Sequence, residues 1–180
     1  MVGDVGAGVA SVRMTHYQIR PCTQDDAATV ARHRVEMFRE MGEVPTDDLA
    51  RELLDKSTSA LAAALADGTY VGWLAIGDHG KVIAGAGAHI KPQLPRISHD
   101  QARVEVTAVP LVVNVYTERE FRGQGIARAV MRVLMKWAST RGADRVVLHA
   151  SDAGRPLYIS LGFHPTNEMR WFPPKDFDHH

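Results

Sequence analysis

The chain is 180 residues long, with 21 lysines and arginines against 21 aspartates and glutamates, so no net field recruits nucleic acid or an anionic membrane. No apolar run approaches a bilayer span, and the lone Cys22 excludes an internal disulfide framework and fits a reducing cytoplasm. The length suits one sheet-and-helix core, expected over 15–180 after a flexible extension at 1–14 that lacks the basic start of a signal peptide.

In chain order, Tyr17 to Arg20 reads as an edge strand, and Thr23 followed by Asp25 and Asp26 as a helix start with acids in its first turn. Ala27, Val30, Ala31, Val35, Phe38 and Met41 recur at helical spacing until Gly42. Thr46 caps a second helix, with Leu49, Leu53, Leu54, Leu61 and Leu65 as its expected buried stripe. Thr69 to Ile76 and Val82 to Ile90 are strands joined by the hairpin signal at Gly77 to Gly80. Gly85 and Gly87 mark a close packing point or a bend in the second of them.

Lys91 to Arg103 holds two prolines without a clear period and reads as a loop. Leu111 to Tyr116 is apolar on both faces, as in a strand covered by helices on either side. Asn114 is the exception and needs a partner, for which a bulge and a cofactor amide are both candidates. A helix follows with Ile126, Val130, Val133, Leu134 and Trp137 on one face, then a short strand at Val146 to Ala150. Pro156 opens a short helix that Gly162 stops, and Glu168 to Phe172 is expected to be a final strand packing Trp171 and Phe172. This order predicts an α/β fold, a mixed sheet with helices on both faces.

The most informative stretch is Val112 to Met131, where an apolar strand runs into a glycine loop that opens a helix. Gly123 and Gly125 allow close backbone approach, and the free N–H groups of Gly125, Ile126 and Ala127 would face an anion that the helix dipole also favours. Arg122 at the loop entrance can add a charge-assisted contact to phosphate oxygens. A dinucleotide fingerprint would need a small residue where Arg128 stands, with glycines directly after the strand, and no Gly-Lys-Ser/Thr completes a P-loop.

The remaining pattern, Arg122-x-x-Gly125-x-Ala127 after a strand containing Asn114, resembles the acetyl-CoA signature of the GNAT superfamily of N-acetyltransferases. The run from Leu157 to Phe163 is similar to that superfamily's second motif, whose tyrosine corresponds to Tyr158. The resemblance implies a mostly antiparallel central sheet and acetyl-CoA as co-substrate, held by Arg122, Gly123, Gln124, Gly125, Ile126 and Ala127. It further implies that the central strand splays from its neighbour, so that backbone groups of Val113, Asn114 and Val115 bind the pantetheine arm and the N–H of Val115 polarises the thioester carbonyl.

On the same resemblance, Tyr158 protonates the departing thiolate, since a phenol's pKa lies above a thiol's. Ser151 and Asp152 precede that helix as caps, with pantetheine contact as a second role that the family often gives to Asn, absent at this spot. Glu36, Glu40, Glu118, Glu120 and His89 are open as proton acceptors, Glu118 and Glu120 reading as a solvated loop face and His89 as structural. The expected acceptor is a small primary amine, a cationic one if Glu36 and Glu40 line a narrow pocket. The alternatives are a protein terminus or lysine, or a non-catalytic acyl-CoA-binding module. The histidines show no metal-ligand spacing, so no metal is expected, and the resemblance allows a homodimer formed through exposed strands.

Overall fold

A computed structural model of the chain describes residues 16–98, 100–105 and 108–172, so the extension at 1–14 lies outside the described residues. Where one domain was expected over 15–180, chain contacts divide the protein into two compact units, Met1–His149 and Ala150–His180.

The first unit opens with β1 (Gln18–Pro21), which turns into α1 (Ala27–Glu40) through one 3-10 turn. Asp26 fastens that corner. It accepts from the Thr23 N–H at 2.8 Å, and both its carboxylate oxygens are gripped at 2.7 Å by the Arg20 guanidinium. Helix α2 (Asp47–Asp67) starts as expected, with the Thr46 hydroxyl accepting from the Leu49 N–H at 3.3 Å. Its buried face is Ala50, Ser57 and Leu61, while Leu49, expected in the buried stripe, is exposed.

Strand β2 (Tyr70–Ile76) pairs antiparallel with β1 and with β3 (Val82–Lys91). Alternation along β2 builds the layers. Tyr70 and Leu74 join Ala27, Val30, Ala31 and Leu61 in a core under α1 and α2. Trp73, of opposite parity, meets Trp137 of α3 (Ile126–Thr140) edge-on at 5.6 Å between ring centres, so helices cover both faces. In the loop expected at Lys91 to Arg103, β4 (Arg96–Ile97) pairs with β5 (Val104–Glu105) just beyond it as a two-residue ladder closed by Ser98, whose hydroxyl accepts from the N–H groups of Ala102 and Arg103.

Strand β6 (Val109–Thr117) pairs antiparallel with β3 on one side and parallel with β7 (Val147–Leu148) on the other. The sheet order is β1-β2-β3-β6-β7, antiparallel apart from its last pair. The second unit contains α4 (Arg155–Ser160), with Pro156 in its first turn and Gly162 just beyond its end. The strand expected at Glu168 to Phe172 does not form. That segment has no ladder partner among the described residues, and Trp171 and Phe172 are exposed.

Candidate active site

Strand β6 breaks regularity twice, and the two breaks adjoin. Opposite β3, Gly87 pairs with Val113 and Gly85 with Tyr116, so Ala86 alone faces both Asn114 and Val115. Asn114 absorbs the extra residue in a left-handed conformation, φ 56°. This is a β-bulge, one of the two partners expected of a polar residue there. On the opposite edge, the parallel ladder to β7 covers only Leu111 and Val112. From Val113 onward β6 has no ladder partner on that side among the described residues.

Beyond β6, one 3-10 turn leads to Gly123 and Gly125, at φ 76° and 77°, a region that side-chain-bearing residues seldom adopt. A Cβ on either would meet nothing within 4 Å, so the loop presents bare backbone to open space. Gly125 is the N-cap of α3 and has no side chain with which to cap it, and no acidic residue occupies the first turn. Ile126 is buried and anchors the helix start, while Ala127 is half-buried. Gln124, also half-buried, lies between the glycines. The positive end of the dipole is thus offered outward.

Arg122 departs from the expectation. Its guanidinium does not project free at the loop entrance: it donates to the Thr117 carbonyl at 2.8 Å and to both oxygens of Glu40 at 2.8 and 2.9 Å, lying over the Tyr116 ring. Arg119 donates to the same carboxylate at 2.9 Å. Burial alone would raise the Glu40 pKa, but hydrogen bonds from Arg122 and Arg119 outweigh it and hold Glu40 below the usual glutamate value. Glu36 pairs with Arg39 at 3.5 Å. The charge of each carboxylate is thus met by a neighbouring guanidinium, contacts that the reading of Glu36 and Glu40 as pocket-lining residues did not include.

The site contains residues that periodicity alone passed over. Asn114 is buried; its amide oxygen accepts from Nη1 of Arg34 at 2.8 Å, and its side chain also hydrogen-bonds the Tyr70 phenol oxygen, whose pKa burial pushes well above the usual value against that bond. That side chain is therefore engaged within the protein, and what Asn114 can offer a ligand is backbone. His33 is 1 % exposed, tilted against Tyr116 at 5.0 Å, with Nε2 3.5 Å from Glu118. Burial, then the neighbouring Arg32, depress its pKa to about 4 against a weaker pull from Glu118. Glu118, expected in solvent, is 18 % exposed and accepts from Arg32 at 2.7 Å. Glu120 does occupy a solvated face, paired with Lys81. His89 packs edge-on against Tyr70 at 5.3 Å, and burial, then Lys91, lower its pKa. The overlooked signal was register: Arg34 falls four residues after Val30 on the apolar face of α1.

In the second unit, the Ser151 hydroxyl accepts from the Gly154 N–H at 3.2 Å in the turn before α4, while the N-cap of α4 is Gly154, with no side-chain cap. Asp152 is exposed, 3.8 Å from Arg155. Tyr158 stacks edge-on with Phe163 at 6.0 Å between centres, and burial raises its pKa. Gly154 makes room for the ring, since a Cβ there would stand 2.9 Å from Tyr158 Cε2.

A family model described as the acetyltransferase (GNAT) family matches residues 28–163. The chain belongs to the GNAT acetyltransferase family. Among solved structures, this GNAT chain is similar to a GCN5-related N-acetyltransferase from Ralstonia eutropha JMP134, 34% identical with a TM-score of 0.75 over 87% of this chain and 97% of that one. It is similar also to a predicted acetyltransferase from Clostridium acetobutylicum solved with acetyl-CoA, 27% identical with a TM-score of 0.73 over 92% and 99%. In sequence it is 36% identical over 61 residues to the uncharacterized N-acetyltransferase YobR of Bacillus subtilis. That match takes in 32% of this chain and 25% of the relative, so the chain spans about a quarter of the first curated relatives it matches. Among the described residues of this GNAT chain, no cluster of three or more His, Cys, Asp or Glu is arranged to hold a metal ion, and no helix is long and apolar enough to cross a membrane.

Proposed function

We propose that this protein transfers acetyl from acetyl-CoA to a primary amine of a small molecule by direct attack on the thioester. The observation that carries the proposal is the end of the β6–β7 ladder at Val112, two residues before the bulge at Asn114, on the strand that leads into the bare-glycine start of α3. The donor set fits the coenzyme. Strand-like N–H and C=O groups of Val113 and Val115 suit amides of an extended arm, and uncapped N–H groups at Gly125, Ile126 and Ala127 suit a diphosphate.

Bound acetyl-CoA supplies the activated acyl group, and the residues of this chain do the rest. The N–H of Val115 faces the charge that develops on the carbonyl oxygen. Arg122 acts on the diphosphate indirectly: by bridging Glu40 and the Thr117 carbonyl it holds the turn in which Gly123 and Gly125 sit. Tyr158 delivers a proton to the leaving sulfur. Its raised pKa supports that role, because the phenol stays protonated at neutral pH. The incoming ammonium gives up its proton to water or a nearby base, the new amide forms, and free CoA thiol leaves.

The decisive experiment is thiol release from acetyl-CoA by the full chain with a panel of primary amines. Amine-dependent release is expected, and coenzyme binding without release across the panel would favour a non-catalytic acyl-CoA module. Tyr158→Phe is expected to lower kcat about tenfold to a hundredfold, with KM for acetyl-CoA changed less than threefold. Unchanged turnover from pH 6 to 9 would remove Tyr158 from the mechanism.

A further inference from the structure

Helix α1 carries one cation with no ionic counterpart. Arg32 is paired with Glu118, and Arg39 with Glu36 and Asp47. Arg119 and Arg122 share Glu40. Arg34 makes no ion pair among the described residues. Its guanidinium lies 4.6 Å from the centre of the Phe38 ring and donates through Nη1 to the neutral Asn114 amide at 2.8 Å. Glu43 acts on it only through space. Burial is the largest influence on it and weakens its hold on the proton, against the weaker attractions of Tyr70 and Glu43.

Such an arrangement costs free energy unless something else repays it. A partly buried charge is ordinarily paired, and an unpaired one attracts an ion of opposite sign. Asn114 occupies one Nη1 hydrogen, leaving the outer donors of a planar fork whose spacing matches the two oxygens of a carboxylate. Arg34 is half-buried, so a small ligand can reach it. The residue it touches is the bulge residue of β6, directly before Val115.

We propose that Arg34 receives a carboxylate carried by the amine acceptor, making the substrate class amino acids and related amino-carboxylates. This rests on the acetyl-transfer reading above and narrows its acceptor. A single cation with a neutral amide beside it suits a monoanion better than a phosphate dianion. The carboxylates of Glu36 and Glu40 are already matched by arginines, which disfavours a polycation there.

The test is equilibrium binding to the full chain, with and without CoA, of matched pairs: small, acidic and aromatic L-amino acids against their α-carboxamides, and glucosamine 6-phosphate against glucosamine. At least one acid is expected to bind tenfold or more tighter than its amide, with the ratio falling to near one in Arg34→Gln. If Arg34→Gln loses its cooperative melt, Arg34→Lys is scored instead and should lose at least threefold in the ratio, because it keeps the charge and loses the fork. Equal binding of acids and amides throughout, a preference that survives the substitution, or a larger discrimination by the phosphate pair would each overturn the proposal. Failure of the acetyl-transfer reading is seen separately, as an absence of CoA binding or of thiol release, and leaves the acid-to-amide ratio to judge Arg34.

Discussion

Among individual side chains, His33 shows most directly what burial does. In the unfolded chain it titrates near 6.5, whereas in the fold it stays neutral down to about 4. Between those values the unfolded state holds more protons, so this contribution to stability is complete above pH 6.5 and is lost as the pH falls toward 4. Urea unfolding of the wild type and His33→Asn across pH 4 to 7 should show the wild type losing stability faster, by up to about 1.4 kcal/mol per pH unit. Parallel pH dependences would mean that the imidazole is not held neutral. In the candidate site, the left-handed glycines of the loop, Gly123 and Gly125, were legible, because glycine spacing reports backbone directly. The contact of Arg122 with Glu40 was not, since residues 82 apart in sequence meet only once the chain has folded.

Secondary elements were legible wherever a local period or a cap sets them. Both opening helices, the Gly77 to Gly80 hairpin and α3 formed close to their expected limits. The strand expected at Glu168 to Phe172 did not, since a strand needs a neighbour and composition cannot supply one. The glycines of β3 turned out to mark close packing. A Cβ at Gly87 would run into the Tyr70 phenol and stand 2.8 Å from the Val71 carbonyl, and one at Gly85 would stand 2.9 Å from Leu74 Cδ2. Gly87→Ala is therefore expected to cost at least about 2 kcal/mol in urea unfolding, because backbone as well as the ring must yield. It should also disturb the Tyr70–Asn114–Arg34 chain and lower turnover at temperatures where the variant is still folded. A stability change under 0.5 kcal/mol would mean that β3 and the phenol are not in contact.

For the molecule as a whole, fold class followed from element order, and the balanced charge removed nucleic acid and membrane from consideration before any motif was read. Ligand linkage is measured at this scale. Acetyl-CoA at a hundred times its Kd should stabilise the folded chain by about 2.7 kcal/mol, a rise of about 5–10 °C in Tm for a protein of this size. A Tm that does not move at millimolar coenzyme would remove the diphosphate site altogether.

Glu40 ends the helix on which Arg34 stands, and its carboxylate is knotted to the turn carrying Gly123 and Gly125. Helix and turn therefore move as one lever: an occupant that tilts the first tugs on the second. Thermodynamic reciprocity then requires that coenzyme and acceptor, if coupled, alter each other's grip by an identical factor, and this two-arginine knot is one link by which they would be.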